Sequence, residues 1–291
     1  MKIVWLADYG VKDHHGGAQQ TNELMIQKGR ELGHEIEEIT IKNYHRPETG
    51  SFVILNNVRM FWETIRSELL WMIDNTRYVR YEHDYLFDFM EKDFALKMFR
   101  QSVLNVFLSP LHFETNQTVY HNFKLQNVFI QPSPIDTSKF NTDGYNPEEN
   151  SVLYCGSLSG HKGIENLVEY AKDSRSLKFT FVGWKEGIGN EVTKDLPSNC
   201  ECIDPIPHKD ISDFYKKFEY FIHLPLWNEP FGRTVMEAFL CNCELIVDFK
   251  KIGCLSFDEI VKPVLHGEVR PVKEFLEKAP ANFWEKIDAI Y

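Results

Sequence analysis

Two glutamates near the end of the chain, Glu229 and Glu237, have the type and the spacing to bind a polar ligand. An apolar stretch, 221–226, runs up to Glu229, and a Phe-Gly turn and a helical pattern follow it. This order predicts a strand, a tight loop and a helix whose N-terminus points back at the loop. Helix N-termini have unpaired N–H groups and a partial positive charge, so they favour phosphate. Two carboxylates beside a phosphate site suit a ligand rich in hydroxyl groups, such as a nucleotide sugar.

The stretch from Glu229 to Glu237 resembles the E-x7-E motif of retaining glycosyltransferases of family 4, which have the GT-B fold. Four other stretches resemble parts of the same family: the first strand and Gly-Gly loop at 1–18, the glycine-containing loop ending in Lys-Gly at 154–163, the next strand at 179–183, and the loop and helix at 205–215. The resemblance covers most of the chain and is densest from 151 to 248.

Apolar runs alternate with helical patterns along the chain, which favours a doubly wound α/β architecture. Strands are predicted at 3–7, 36–41, 51–56, 78–81, 105–109, 127–131, 151–154, 177–183, 200–203, 218–224 and 244–248. Helices are predicted at 18–32, 61–73 and 283–290.

Between 132 and 150 the composition changes to Pro, Ser, Asp, Asn and Gly, which is typical of a connection between domains. Together with the resemblance, this predicts an α/β protein of the GT-B fold, with two Rossmann-like domains facing each other across a cleft. The predicted division is an N-terminal acceptor-side domain at 1–135, a linker at 136–150, a C-terminal nucleotide-sugar-binding domain at 151–275, and a terminal helix at 276–291 that crosses back to the first domain.

The resemblance implies roles for individual residues. Glu229 faces the donor sugar, Glu237 accepts hydrogen bonds from the ribose hydroxyls, and Lys162 binds the diphosphate as a point charge. Ser157 departs from the family, which often has Arg there. Either Arg233 or a group of the first domain therefore supplies this diphosphate contact, or the donor binds more weakly. The remaining predicted donor-binding residues are Gly16, Gly17, Gly156, Ser157, Ile206, His208, Pro230, Phe231, Gly232, Arg233 and Thr234.

His83 follows the predicted strand 78–81, where the family often has a histidine near the reacting sugar. The resemblance therefore makes His83, Glu229 and Lys162 the predicted catalytic residues. The alternative for His83 is a capping or solvent-exposed side chain, and Asp84 could orient its ring or cap the following helix.

Two further histidines, His14 and His15, lie beside the Gly-Gly loop. They could contact the acceptor, although exposed histidines are common in such loops.

The predicted reaction moves a sugar, with retention of configuration, from a nucleotide-diphosphate donor such as a UDP- or GDP-sugar to an acceptor hydroxyl. Charge develops on the departing diphosphate, so Lys162 and the helix N-terminus are expected to matter most. No cofactor is expected, and no metal, because the chain has no clear Asp-x-Asp strand motif. Two C-x-C pairs, Cys200 with Cys202 and Cys241 with Cys243, lack the usual zinc spacing and are expected to be structural.

The 291-residue chain has a formal net charge of −11 and a pI near 5.5, so nucleic acid is not expected as a partner. Its six cysteines form no framework of a secreted domain, and no apolar run approaches a membrane span, so a cytoplasmic protein is expected. The expected partners are a nucleotide-sugar donor and a glycan or lipid-linked acceptor. The amphipathic helix at 61–73 could make a weak peripheral membrane contact, although packing explains it better.

Three alternatives to this function remain open. One is another GT-B enzyme, such as a sugar-nucleotide epimerase or a phosphorylase. Another is a catalytically degenerate nucleotide-binding protein, which Ser157 and the short chain favour but Glu229, Glu237 and Lys162 oppose. The last is a glycosyltransferase acting on modified nucleic-acid bases, which the acidic composition opposes.

Overall fold

The structure, a computed structural model, describes residues 1–13 and 16–291. These residues form two compact units, each built around one β-sheet. Unit 1 consists of Met1–Pro134 and Leu276–Tyr291, and unit 2 consists of Ile135–Phe275. The segment 136–150 is therefore part of unit 2.

Unit 1 contains a six-stranded parallel sheet. Its strands are β1 (Lys2–Ala7), β2 (Glu35–Ile39), β3 (Phe52–Asn56), β4 (Arg77–Tyr81), β5 (Leu104–Phe107) and β6 (Val128–Ile130), and they lie in the order β2-β1-β3-β4-β5-β6. Every residue of β3 is buried. Such continuous burial is typical of a parallel strand that helices cover on both faces.

Five helices of unit 1 precede the chain's second sheet. They are α1 (Gly17–Glu31), α2 (Arg59–Thr64), α3 (Arg66–Asn75), α4 (Lys92–Gln101) and α5 (Pro110–Val119), with a short 3-10 helix at Leu86–Asp88. The start of α5 shows how the sequence sets a helix boundary. Ser109 accepts a hydrogen bond from the backbone of His112 at 3.0 Å, and Pro110 occupies the first helical position.

The single helix predicted at 61–73 was wrong, because α2 and α3 are separated by a break at Ile65 (φ −133°, ψ 49°). Thr64 and Ile65 are two successive β-branched residues, which lower the propensity for helix. Both helices pack on the same apolar core of unit 1. The apolar pattern therefore continues across the break and does not reveal it.

Unit 2 contains a five-stranded parallel sheet. Its strands are β7 (Glu148–Cys155), β8 (Lys178–Val182), β9 (Cys200–Ile203), β10 (Phe218–His223) and β11 (Glu244–Val247), and they lie in the order β11-β10-β7-β8-β9. Its helices are α6 (Ile164–Asp173), α7 (Gly189–Val192), α8 (Ile211–Tyr215), α9 (Arg233–Leu240) and α10 (Asp258–Leu265), with a 3-10 helix at Gly253–Ser256. Two parallel sheets with helical connections confirm the predicted α/β class.

The last helix, α11 (Val269–Ile290), belongs to unit 1 from Leu276 onward. Trp284 of this helix is fully buried, and its indole Nε1 donates to the carbonyl of Met25 on α1 at 2.7 Å. A Cβ on Gly29 of α1 would come within 2.3 Å of the Trp284 ring, so only glycine fits there. Across the described ranges, no helix has both the length and the apolar character needed to cross a membrane.

Candidate functional site

The sheet of unit 2 has a topological switch point between β7 and β10. The chain runs outward from β7 through β8 to β9 and then returns to the other side of β7 as β10. In open parallel sheets, ligands bind at the carboxyl ends of the strands beside such a point. The loops that follow these two strands, 156–163 and 224–232, contain half of the predicted donor-binding residues.

A glycine in a left-handed conformation ends each of these loops. Gly163 (φ 80°) precedes α6, and Gly232 (φ 88°) precedes α9. A Cβ on Gly163 would lie 2.0 Å from the carbonyl oxygen of Leu224. The two loops can therefore touch only because this position has no side chain.

The carboxylate of Glu229, on the second loop, forms an ion pair with Lys162 on the first loop. Its Oε1 lies 2.6 Å from Nζ of Lys162, 2.8 Å from Nε1 of Trp227 and 3.4 Å from Nε2 of His223. In the part of the chain that the structure describes, no group donates to Oε2 of Glu229. One oxygen is thus fixed by the protein, and the other can receive a hydroxyl of a ligand.

Glu229 is charged despite its burial. Burial by itself would raise the pKa of this carboxyl, but the Lys162 ammonium and the hydrogen bond from His223 outweigh it and hold the pKa well below its usual range. Lys162 is 24% exposed, and its Nζ lies 5.0 Å from the ring centre of Trp227. The ammonium can therefore also reach an incoming anion.

The second glutamate of the motif, Glu237, is buried on α9. Its Oε1 accepts from the guanidinium of Arg233 at 3.2 Å, and its Oε2 accepts from the hydroxyl of Tyr215 at 3.4 Å. Arg233 therefore already has an anionic partner, so supplying the diphosphate contact in place of Ser157 requires it to leave or share Glu237. Thr234, the second residue of α9, lies beside it at the start of the helix.

Ser157 lies in a turn that a hydrogen bond from Tyr154 stabilises. Its carbonyl accepts from the hydroxyl of Tyr154 at 2.7 Å, and none of the described residues bonds its buried Oγ. The Tyr154 ring stacks on His223 with the centroids 5.7 Å apart. Because His223 contacts Glu229, this pair connects the Gly156–Ser157 turn with the glutamate.

The loop after β9 contains Ile206 and His208, both partly buried. The ammonium of Lys139 donates to the carbonyl of His208 and lies 3.0 Å from its Nδ1. Burial lowers the pKa of Lys139, although Glu237 and two aspartates oppose the shift. Lys139 thus holds in place the loop predicted to face the nucleobase.

In unit 1, Gly16 and Gly17 mark the start of α1. Gly16 has an extended backbone (φ −81°, ψ 169°), so it does not use the positive φ that glycine allows. The predicted acceptor residues His14 and His15 lie outside the described residues.

His83 lies after β4 and is buried, not solvent-exposed. Its Nε2 is 3.2 Å from Nδ2 of Asn56, whose Oδ1 accepts from Asn22 at 3.0 Å. Two carboxyls lie near the same strand ends. Burial raises the pKa of Asp8 to about 7 and that of Glu82 to about 8. Negative neighbours, Asp84 among them, add to both shifts.

All six cysteines are free thiols, including those of the two C-x-C pairs. Cys241 and Cys243 are buried, as expected for structural residues. Within 1–13 and 16–291, no group of three or more His, Cys, Asp or Glu side chains is arranged to hold a metal ion.

Sequence reasoning missed several groups of this site, namely His223, Trp227, Lys139, Tyr215, Asn56 and Asn22. Two of these residues could have been found from their position at the end of a predicted strand. Asn56 and His223 are the last residues of parallel strands, where ligands bind in open α/β sheets. The other four act through contacts between elements that no local pattern encodes.

Residues 136–252 match the family model of glycosyl transferases group 1. This range contains Lys162, Glu229 and Glu237, together with the loops that carry them. A search of curated protein sequences finds no match.

Three solved structures are similar over nearly the whole chain. HepE from Anabaena, in complex with UDP and glucose, is 14% identical, with 99% of this chain and 100% of that chain covered and a TM-score of 0.69. An alpha-glucosyltransferase in complex with UDP and a 13-mer DNA containing a HMU base is 14% identical, with 100% and 99% covered and a TM-score of 0.67. AviGT4, a glycosyltransferase involved in avilamycin A biosynthesis, is 15% identical, with 97% and 92% covered and a TM-score of 0.62. At these identities the similarity shows the fold, and this fold is GT-B.

Proposed function

We propose that this chain is a group 1 glycosyltransferase, of the retaining family 4 type, that moves a sugar from a nucleotide-diphosphate donor to an acceptor hydroxyl. The observation that carries the proposal is the contact between Lys162 and Glu229 at 2.6 Å, at the switch point of the second sheet. This pair offers an ammonium for phosphate and a carboxylate for sugar hydroxyls. The match of 136–252 to glycosyl transferases group 1 supports the same reaction.

The donor that we propose is a UDP-sugar, because HepE and the alpha-glucosyltransferase were both solved with UDP. Glu237 accepts hydrogen bonds from the ribose hydroxyls in this proposal. The backbone around Ile206 and His208 lies along the base, and Lys139 positions that backbone.

Donor binding requires Lys162 to exchange Glu229 for diphosphate oxygens. The bond between the anomeric carbon and the diphosphate then breaks, and the acceptor oxygen bonds to the same face of that carbon. The departing diphosphate takes the acceptor proton. Lys162 and the N-terminus of α9 stabilise the negative charge that develops, so the proposed mechanism uses no cofactor and no metal ion.

For the acceptor we propose a hydroxyl of a glycan or of a lipid-linked sugar, reached in the cytoplasm with at most a weak peripheral membrane contact. The net charge of −11 disfavours a polyanionic acceptor. A second candidate is a hydroxyl on a modified DNA base. One observation favours it, the similarity to an alpha-glucosyltransferase solved with HMU-containing DNA.

The test is a panel of UDP- and GDP-sugars, with thermal unfolding and release of free nucleotide as the two measurements. A ligand that binds only the folded protein raises its apparent stability. We expect one UDP-sugar to stabilise the wild type and to be hydrolysed slowly without acceptor. We expect Lys162→Met to abolish both effects, while Lys185→Met on the neighbouring exposed loop leaves them intact.

The acceptor is then tested with the identified donor, using a set of methyl glycosides and a DNA duplex containing hydroxymethyluracil. Transfer to a glycoside supports the proposed acceptor, and transfer to DNA alone selects the second candidate. If no sugar nucleotide binds or is cleaved, the transferase proposal fails, and a degenerate nucleotide-binding protein becomes the better explanation.

A further inference from the structure

His223, the last residue of β10, is buried beside the carboxylate of Glu229. Its Nε2 lies 3.4 Å from Oε1 of Glu229. Its Nδ1 is also buried, and no group in the described part of the chain forms a hydrogen bond with it. A buried ring nitrogen without a hydrogen-bond partner calls for a physical reason.

The ring of His223 is held in place by its neighbour on β7. Tyr154 stacks on it, with the ring centroids 5.7 Å apart and the planes at 21°. The hydroxyl of Tyr154 donates to the carbonyl of Ser157 at 2.7 Å, which fixes the tyrosine ring in turn. Nε2 of His223 therefore stays beside the carboxylate when other contacts of Glu229 change.

One of those contacts changes in the proposed reaction. Glu229 is stable as a buried carboxylate because the ammonium of Lys162 lies 2.6 Å from it, and donor binding draws this ammonium to the diphosphate. Trp227 donates to the same oxygen at 2.8 Å, but an indole carries no charge. A buried carboxylate that loses its cation is strongly destabilised. The exchange therefore requires a second positive charge beside Glu229.

His223 is the group that can supply this charge. Tyr154 and Cys254 also interact electrostatically with Glu229, but burial raises the pKa of the phenol and of the thiol well above their usual ranges. Both are therefore neutral, and neither becomes positive at any pH. An imidazole gains a positive charge by taking one proton near neutral pH.

The site of that proton follows from the contact with the carboxylate. A carboxylate only accepts, so Nε2 of the neutral His223 ring holds the proton and Nδ1 holds the lone pair. Two further groups act on Tyr154, beside the ring. Burial raises the pKa of Cys155 to about 12, so this thiol is neutral, and the exposed carboxylate Glu186 favours a positive ring. Nothing among these groups opposes a proton on Nδ1.

We propose that His223 is a positioning residue that takes up a proton at Nδ1 when the donor diphosphate draws Lys162 away, so that its imidazolium keeps Glu229 ionised and in place for a sugar hydroxyl. The proposal rests on the proposed function, in which Lys162 exchanges Glu229 for diphosphate oxygens. The proton comes from the solvent, so binding of the donor consumes one proton and leaves the buried carboxylate with a cation throughout.

The first test counts protons by calorimetry. UDP is titrated into the protein at pH 7.5 in buffers of different ionisation enthalpy, and the slope of the binding enthalpy gives the number of protons taken up. We expect the wild type to take up roughly half to one proton more than His223→Gln, which retains a side-chain N–H but cannot become charged. His266→Gln makes the same change at an exposed position of unit 2 and should match the wild type.

The same linkage sets the pH dependence of binding. Because binding takes up a proton, the affinity of the wild type for UDP should fall as pH rises above neutral, by up to about tenfold per pH unit. The fall should be shallower in His223→Gln. Glu229→Gln should also take up fewer protons than the wild type, since no buried charge then needs a cation. Undiminished uptake in His223→Gln overturns the proposal, because the proton then goes to another group.

The second test needs no ligand. Lys162→Met removes the ammonium permanently, so the protonated fraction of His223 at pH 7 should be higher than in the wild type. Ring ¹³C and ¹⁵N shifts measure this fraction, with His223 assigned through the backbone of β10, so the test does not depend on the folding of His223→Gln. Adding Glu229→Gln to Lys162→Met should return the ring to the neutral form. An unchanged ring in Lys162→Met overturns the proposal.

The two failures can be told apart. If UDP binds to the wild type without proton uptake, the role of His223 is overturned while the transferase proposal stands. If UDP does not bind and no sugar nucleotide is turned over, the transferase proposal fails. The ring spectra of Lys162→Met then still decide whether His223 balances the charge of Glu229.

Discussion

Oε1 of Glu229 contacts three nitrogen atoms, and one of them is the ammonium that the proposed donor needs. In the unliganded protein, Glu229 and the diphosphate therefore compete for Lys162. The carboxylate has a second role, because its Oε2 is the oxygen left for a sugar hydroxyl. Removing its charge should consequently affect binding and turnover in opposite directions.

Glu229→Gln tests this competition. We expect UDP to bind more tightly, by about 1 kcal/mol or more, because an ammonium without an anionic partner gains more from phosphate. Sugar transfer should fall, because the amide is a weaker acceptor for a hydroxyl. Isothermal titration with UDP and a transfer assay measure the two effects. Glu186→Gln removes a charge from a neighbouring exposed loop and is the control. Weaker UDP binding in Glu229→Gln would contradict the competition.

The raised pKa of the buried Glu82 carboxyl should make the stability of the protein depend on pH. Its pKa is about 8 in the folded protein and has an ordinary value of 4.5, so the folded state retains a proton that the unfolded state loses between these values. The free energy of unfolding therefore falls as pH rises through this window, by up to about 1.4 kcal/mol per pH unit from this group. Asp8, with a pKa of about 7, adds to the fall up to that pH.

Glu82→Gln should make this decline shallower, because glutamine has no proton to lose yet keeps an oxygen for the N–H of His83. Urea unfolding at pH 5, 6.5 and 8 measures the slope. Glu63→Gln, which removes an exposed carboxylate on α2, should retain the wild-type slope. Equal slopes in all three proteins would show that burial does not shift Glu82.

Among individual residues, the sequence predicted the charged groups of the site and missed two residues that contact Glu229, namely Trp227 and His223. Lys162 and Glu229 were both predicted, and the structure brings them into contact across 67 positions of the chain. Trp227 and His223 could be assigned no role, because their contacts depend on how loop and strand pack. Arg233 was expected near the diphosphate, yet its guanidinium donates to Glu237, four residues further along the chain.

At the scale of elements, Gly163 decides how closely the two loops of the candidate site approach, and Gly187 is a matched comparison. Gly163 and Gly187 share a left-handed backbone, with φ of 80° and 54°. They differ in surroundings. A Cβ on Gly163 would meet the carbonyl of Leu224, whereas nothing lies within 4 Å of a Cβ on Gly187. Alanine at the two sites therefore separates backbone strain from steric conflict.

Gly187→Ala should cost about 1–2 kcal/mol of stability, the strain of a left-handed residue. Gly163→Ala should cost clearly more, and it should also weaken donor binding because it moves the loop that carries Lys162. Thermal unfolding and titration with UDP measure both effects. Equal losses at the two glycines would mean that the contact with Leu224 relaxes freely.

The sequence predicted every strand of both sheets, because buried parallel strands are short apolar runs bounded by polar residues. The boundaries differ by up to three residues, as at β2, which was predicted at 36–41 and spans Glu35–Ile39. The break between α2 and α3 could not be predicted from periodicity. Both helices pack on the same apolar core, so the pattern of apolar residues continues across the break.

At the scale of the molecule, the core of unit 1 is completed by the end of the chain. Trp284 packs against Trp5 of the first strand, with the ring centroids 6.3 Å apart, and bonds to Met25. Trp284→Ala should lower the stability of unit 1 by about 3–5 kcal/mol, the usual cost of removing a large buried aromatic side chain.

Hydrogen exchange can localise this loss. We expect faster exchange in β1 and β3 of Trp284→Ala, with little change in β7 and β10 of unit 2. Trp184→Ala removes a tryptophan that is 56% exposed and should change neither sheet by much. Uniform acceleration in both sheets would instead mean that the two units unfold as one.

The division of the chain also sets an order of events during synthesis. Unit 2 is one continuous stretch, Ile135–Phe275, whereas unit 1 needs both Met1–Pro134 and Leu276–Tyr291. On a ribosome, the first sheet emerges early but waits for its last helix, while the second sheet has all of its residues before that helix leaves the exit tunnel. The half of the protein that is made first is thus finished last. In the interval, the apolar surface that Trp284 covers is exposed and is a natural target for chaperones.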